Sequence, residues 1–357
     1  MPKALVLSNG KMLVDLEHNL QMSDFYYPHV GMEDHSGYRK EHKIGVFTDG
    51  RISWLENNHE WYREIKYERD SLVGDSIARN DNLQVELNFN DLVCSDEDVF
   101  LRRVKITNLA GYERNIKLYF HSDFYIYGEK LKDTAEYEPK LNGVLHYRND
   151  RYFLVFGMWD YNNDGISNYA IGKSSYAGKV GTWKDAEDGD LQSNPVEQGS
   201  VDSTVEFDSR FKAGESKYLN FMIAAGKNYH EIVKMHDVLI KKTPKEVYKH
   251  TRDYWKHWSN KMNYNFENID SRLEVLFKRS LLLIKSQTDQ GGAVIAANDS
   301  DIMRFNKDTY SYMWGRDSAI VIMALSHAHY SDITKDFFKF VSQLLTSEGY
   351  LLHKYNP

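Results

Sequence analysis

The sequence predicts a β part followed by an α part: an antiparallel β-sandwich over residues 1–226, a helical linker over 227–268, and further helices over 269–357. Three observations carry this. Apolar residues alternate with period two through the first two-thirds of the chain. Near residue 228 the period becomes that of a helix, and beyond it no stretch alternates long enough to make a strand. A chain of 357 residues also exceeds what one hydrophobic core usually serves, which favours two domains.

The β elements follow in order. Ile44 to Thr48 and Arg51 to Leu55 flank Asp49-Gly50, a tight-hairpin signal because Gly accepts positive φ. Leu83, Val85, Leu87 and Phe89 fall on one face of a strand, with Gln84, Glu86 and Asn88 on the other. Val104 and Ile106 repeat the pattern before a turn over 108–113, and Ile116, Leu118 and Phe120 resume it. Tyr152 to Met158, Ser203 to Phe207 and Tyr218 to Ala224 add further strands. Many short strands joined by polar turns argue an antiparallel sandwich.

Tyr229 to Ile240 is the first candidate helix. Thr243-Pro244-Lys245-Glu246 then supplies an N-cap, a proline at the first helical position and a capping-box glutamate. Val247, Thr251, Tyr254, Trp255 and Trp258 follow at helical spacing and make one aromatic face. Asp270 or Ser271 caps the next helix, with Leu273, Leu276, Phe277, Leu281 and Ile284 as its stripe, and Gly291-Gly292 closes the element. Residues 317–329 and 332–347 are predicted as two more helices. Three helices with one-sided stripes do not enclose a core, so the natural protein is expected to continue past Pro357.

Composition excludes several classes. With 41% hydrophobic and 27% charged residues, the chain reads as globular. No run approaches the roughly 18 apolar residues needed to cross a bilayer. The first ten residues hold too few apolar positions for a secretory signal, so a cytoplasmic location is expected. Cys94 is the single cysteine and lies in a strand-like stretch, which fits a buried structural thiol. Net charge is −7 and the cations are scattered, which argues against nucleic acid and favours a neutral substrate.

The chemistry concentrates in Tyr310-Ser311-Tyr312-Met313-Trp314-Gly315-Arg316-Asp317. Aromatic rings present flat apolar faces that match the C–H side of a pyranose. Arginine is a rigid multi-donor fork and aspartate an acceptor, so the pair suits vicinal sugar hydroxyls. The plain alternative is that Asp317 caps a helix, Arg316 forms a surface ion pair and the aromatics are core.

The Tyr-x-Tyr-x-Trp-x-Arg-Asp run resembles the first active-site motif of glycoside hydrolase family 15, which holds glucoamylases, glucodextranases and some microbial trehalases. Gly292-Ala293-Val294-Ile295-Ala296-Ala297 is similar to the stretch between the first two barrel helices there. The resemblance implies that residues 269–357 open an (α/α)6 barrel, incomplete in this chain. It implies that Arg316 and Asp317 bind the terminal glucose, that Trp314 shapes the pocket and that Tyr310 stands beside the catalytic centre, with Tyr312 in the same run. Leu352-His353-Lys354-Tyr355-Asn356 resembles a loop at the pocket entrance, which adds His353 and Lys354 to the substrate-binding set.

The implied activity is inverting hydrolysis releasing glucose from the non-reducing ends of α-linked oligo- or polysaccharides. Trehalase or glucodextranase activity is the alternative within the family, and a non-catalytic carbohydrate-binding protein is the alternative outside it. No cofactor is required. The acid and base must flank the anomeric carbon roughly 6.5–9.5 Å apart. The family's Trp-Glu-Glu-like acid motif is absent between Met1 and Pro357, so the catalytic pair is expected beyond Pro357 and the chain alone is expected to be inactive. Asp299, Asp301 and Asp308 read as turn residues before the motif.

Asp160, Asn162 and Asp164 have the spacing that opens a calcium loop, but Ile171 stands where the closing glutamate belongs. His327 and His329 diverge on a helix, which disfavours zinc. Trp54 and Trp61 suit either a sugar platform or core packing.

Overall fold

The computed structural model describes residues 3–36, 42–176, 178–298 and 310–357. Asp299, Asp301 and Asp308 lie outside the described residues.

Among the described residues the strands form three antiparallel sheets. The first has four strands in sequential order, β1 (Leu5–Ser8), β2 (Leu13–Leu16), β3 (Met22–His29) and β4 (Met32–Asp34). The second has five, in the order β15 (Asn168–Lys173), β17 (Val201–Phe211), β11 (Arg114–Ser122), β5 (Ile44–Thr48) and β6 (Arg51–Trp54). The third has nine: β16 (Val196–Gly199), β12 (Asp133–Glu138), β13 (Gly143–Arg148), β14 (Arg151–Trp159), β18 (Ser216–Gly226), β10 (Val99–Asn108), β9 (Val85–Val93), β8 (Gly74–Asn80) and β7 (Tyr62–Tyr67).

Period-two alternation decides what lies between these sheets. Leu87 and Phe89 stand opposite Ile106 and Val104 across β9 and β10, all buried. Leu118 and Phe120 of β11 face them together with Val205 and Phe207 of β17 in one shared core. The Phe120 and Phe221 rings stack at 4.1 Å across the two sheets. Burial of each such ring stabilises the fold by about 2–3 kcal/mol. The β5–β6 connection turns at Asp49 and Gly50, both at positive φ (52° and 74°), the geometry a two-residue hairpin needs.

Among the described residues five α-helices follow: α1 (Tyr229–Lys241), α2 (Pro244–Ser259), α3 (Ser271–Ser286), α4 (Gly315–His327) and α5 (Ser331–Ser342). The Thr243–Glu246 capping box forms at the start of α2, and the Asp270 carboxylate accepts the Arg272 amide at the start of α3. The stripe of α1 (Ile232, Met235, Leu239) covers the outer face of the nine-stranded sheet at Leu101, Leu154 and Met222. Trp255 and Trp258 of α2 join Leu281, Leu282, Ile322, Tyr330 and Phe337 in a separate helical cluster.

The expected fold class requires correction. A β domain followed by the opening of an (α/α)6 barrel is not what the chain forms. Three antiparallel sheets dominate, α1 and α2 lie against the nine-stranded sheet, and α4 packs with α5. The cause is physical: a 3.6-residue stripe shows that a helix has one buried face but not which neighbour covers it. Here the sheet covers α1 and the start of α2, while the Trp255 and Trp258 face of α2 packs among the later helices. Among the described residues no helix is long and apolar enough to cross a membrane.

Candidate functional site

The aromatic run precedes α4 on a loop held from two sides. The Ala296 amide donates to the Tyr312 carbonyl at 3.0 Å. Met313 and Tyr355 exchange both backbone hydrogen bonds at 2.9 Å, which brings the 350–357 segment alongside. The Ser318 hydroxyl donates to the Val294 carbonyl at 2.8 Å and fixes the first turn of α4 to the preceding loop. Segments 292–297, 310–317 and 352–356 therefore form one surface.

On that surface the expected residues meet in part. The Tyr310 and Trp314 rings lie 6.1 Å apart, and His353 stands edge-on to Trp314 at 4.8 Å. The Lys354 ammonium sits 4.1 Å from the Tyr312 ring centre and 5.7 Å from that of Trp314. Trp314 Nε1 is shielded from solvent and has no hydrogen-bond partner among the described residues. An unfilled indole donor beside exposed aromatic surface suits an acceptor brought by a ligand.

Arg316 and Asp317 stand apart from this group. The Arg316 side chain is 84% exposed and contacts the Asp317 carboxylate, itself 44% exposed, at 3.2 Å. The N-cap of α4 is Trp314, and no side chain caps the helix. Asp317 thus occupies the third helical position, where a carboxylate still complements the dipole. The plain alternative of a capping aspartate is not what forms.

Beside the loop is a cleft of about 310 Å³. Ser311, Tyr312 and Asn356 form one wall, and Tyr26, Glu33, Asp34 and Tyr127 of the β part form the other. Arg151 donates to both Glu33 carboxylate oxygens at 3.1 and 3.3 Å. The Tyr127 ring lies 5.3 and 5.2 Å from the guanidinium carbons of Arg148 and Arg151, and its hydroxyl donates to Asp150. Burial, then neighbouring Asp24, pushes the Asp34 carboxyl up to about 7. Nothing near residues 33 or 127 marks them in the sequence, because their partners are far along the chain. A tyrosine at positive φ (60°) just before Gly128 is visible only in the fold.

The other readings resolve differently. Both Asp160 oxygens are held by Arg103, at 2.8 and 2.5 Å, and Asn220 Nδ2 donates at 2.8 Å. Asn162 turns to Asp164. Asp160 is therefore an ion-pair partner. Trp54 packs edge-on to Trp183, and Trp61 donates its indole N–H to Ser53, so both are buried packing residues. Burial also pushes the Cys94 thiol far above its usual range.

One His/Asp group was not foreseen. His121, Asp123 and Asp202 converge with ligand atoms within 4.8 Å of one another, all buried. His121 Nε2 and Asp202 Oδ2 are 2.8 Å apart, Ser174 donates to Asp123 at 2.9 Å, and the Lys130 ammonium pairs closely with Asp123. Even with that lysine, burial holds the Asp123 carboxyl up to about 6. The lysine already supplies the positive charge that a metal would bring.

No protein-family model matches the chain. An uncharacterized glycosyl hydrolase of Methanocaldococcus jannaschii is 23% identical over 98% of this chain and 54% of its own length. The solved structure of a bacterial glucoamylase complexed with acarbose superposes with a TM-score of 0.79 at 17% identity, over 99% of this chain and 52% of that one. The chain spans about half the length of each. Its fold is thus that of about half of a bacterial glucoamylase, and its sequence is similar throughout to a glycosyl hydrolase.

Proposed function

We propose that this chain carries the sugar-gripping part of a glycoside hydrolase acting on α-linked glucose oligo- or polysaccharides. The observation that carries the reading is the cluster of Tyr310, Tyr312, Trp314, His353 and Lys354, with an indole N–H at its centre that has no partner among the described residues. The likeness to a glycosyl hydrolase sequence and to a glucoamylase fold supports the same class. Rings take the apolar face of a pyranose, while the indole N–H and the Lys354 ammonium donate to its oxygens. Arg316 and Asp317 reach the sugar from the first turn of α4 once it is seated on the rings.

The proposed reaction is inverting hydrolysis at a non-reducing end, by one carboxylic acid and one carboxylate roughly 6.5–9.5 Å apart across the anomeric carbon. The gripping residues hold the ring while a water attacks, and interactions that strengthen as the oxocarbenium charge develops lower the barrier. We place the acid and base in the part of the relatives that this chain does not span, so the chain alone binds without turnover. Hydrolysis of trehalose or of an α-1,6 glucan uses the same grip.

Calorimetric titration of the chain with maltotriose tests the grip, and glucose release tests the absence of turnover. Saturable binding that Trp314→Ala weakens at least tenfold is expected. No binding, or equal binding by the variant, overturns the reading, and glucose release by the chain alone overturns the placement of the carboxylates.

A further inference from the structure

The cleft beside the aromatic loop has a wall that the sequence motif does not provide. Glu33 and Asp34 belong to β4, and Tyr127 to a short turn after β11, more than 180 positions before the motif. We infer that Glu33 and Tyr127 form a subsite of the sugar site, taking the neutral pyranose next to the one gripped at Trp314. This rests on the functional reading above and extends it to the β part of the chain.

Size, polarity and charge each support a neutral polyhydroxylated ring. At about 310 Å³ the cleft stands at the lower end of the roughly 300–1,000 Å³ of small-molecule sites. Among the described residues its lining offers carboxyls, an amide and tyrosine hydroxyls and no lysine, arginine or histidine, which disfavours an anion. A cation is disfavoured as well. Glu33 is already neutralised by its two contacts from Arg151. Asp34 is buried, accepts from the Phe25 amide at 3.0 Å and is contacted by the Ser36 hydroxyl at 3.0 and 2.9 Å. What remains is acceptor capacity without free charge, the match for hydroxyl donors.

The wall is also rigid. The β3–β4 turn presses on the motif loop at Gly31 (φ 85°), where a Cβ would lie 2.9 Å from the Ile295 side chain and 3.1 Å from the Ser311 carbonyl. A side chain there would be strained and would push the two loops apart, so glycine lets the turn pack directly on the motif loop. The Tyr127 ring packs against the guanidinium groups of Arg148 and Arg151, and its hydroxyl is tied to Asp150. A preformed wall binds a ring without further ordering.

The test compares methyl α-glucoside, which has one ring, with maltotetraose by calorimetric titration of the wild type, Glu33→Gln, Tyr127→Asn, Tyr127→Phe and Trp314→Ala. Asparagine tolerates the left-handed backbone and so removes the ring without refolding the turn. Wild type is expected to favour the longer sugar, Glu33→Gln and Tyr127→Asn to lose at least fivefold on it with methyl α-glucoside unchanged, and Tyr127→Phe to retain most of the gain. If Trp314→Ala abolishes binding while Glu33→Gln and Tyr127→Asn match wild type on both sugars, the subsite is overturned and the functional reading stands. If wild type binds neither sugar, both are overturned.

Discussion

The Tyr26 hydroxyl lies 3.3 Å from that of Ser311, a buried contact between residues 285 positions apart. It joins β3 to the aromatic loop. Asp289 adds a second tie, accepting the Val30 amide at 3.1 Å and facing His29 Nδ1 at 3.3 Å. The N-terminal sheet thus sets where the motif loop stands.

Tyr26→Phe keeps the ring and deletes the hydroxyl. A buried neutral hydrogen bond contributes about 1 kcal/mol, so a loss of that order is expected in urea unfolding. An unchanged midpoint would show that the two hydroxyls do not hold the loop.

Asp91 and Arg102 form an enclosed ion pair at 2.6 Å, and Arg102 also donates to the Leu20 carbonyl at 3.0 Å. Removing one partner leaves a buried charge unmatched, so Asp91→Ala is expected to cost about 3–5 kcal/mol. A loss below about 1 kcal/mol, measured by chemical denaturation, would mean that water reaches the guanidinium.

Asp133 is held up to about 7 chiefly by burial, against the Ile126 amide that donates to it. Its other oxygen is buried without a partner. A carboxyl with a folded pKa above its unfolded value contributes stability that is fully present below about pH 4 and lost as pH rises through about 7. Asp133→Asn should therefore flatten the decline. The variant gains on wild type between about pH 5 and 8, by an amount on the order of 4 kcal/mol. Parallel melting curves for the two proteins across that range would rule Asp133 out as the source.

Gly292 has φ 103°, and a Cβ there would lie 2.4 Å from the Asp336 carbonyl oxygen of α5. That neighbour is helix backbone and does not yield easily. Gly292→Ala is expected to destabilise by about 3 kcal/mol or more, from strain and overpacking together. Wild-type thermal stability in this variant would refute the close approach.

Some of this was legible in the residues. Asp49-Gly50 marked its hairpin, Thr243-Pro244-Lys245-Glu246 its helix start, and the alternation at 83–89 its strand. The crowding of the aromatic run was legible because its residues lie within eight consecutive positions. The cleft wall was not. Glu33, Arg151 and Tyr127 mean nothing together until β4, β14 and the turn after β11 are brought side by side. The same holds for His121, Asp123 and Asp202, which adjacent β11 and β17 assemble across about 80 residues.

By itself the sequence determined part of the local structure, though not the N-terminal sheet: the hairpin at Asp49-Gly50, strands such as those at 85–93 and 216–226, the capped start of α2, and the crowding of aromatic and charged groups before α4. Those follow from steric and hydrogen-bonding preferences acting over a few residues. The tertiary structure alone decided that α1 lies on the nine-stranded sheet and that α2 divides its contacts between that sheet and the later helices. It also decided that Arg316 faces solvent while the Trp314 indole N–H is shielded and has no partner among the described residues. Such outcomes depend on which apolar faces exclude water from one another, and that choice is made between segments far apart in the chain.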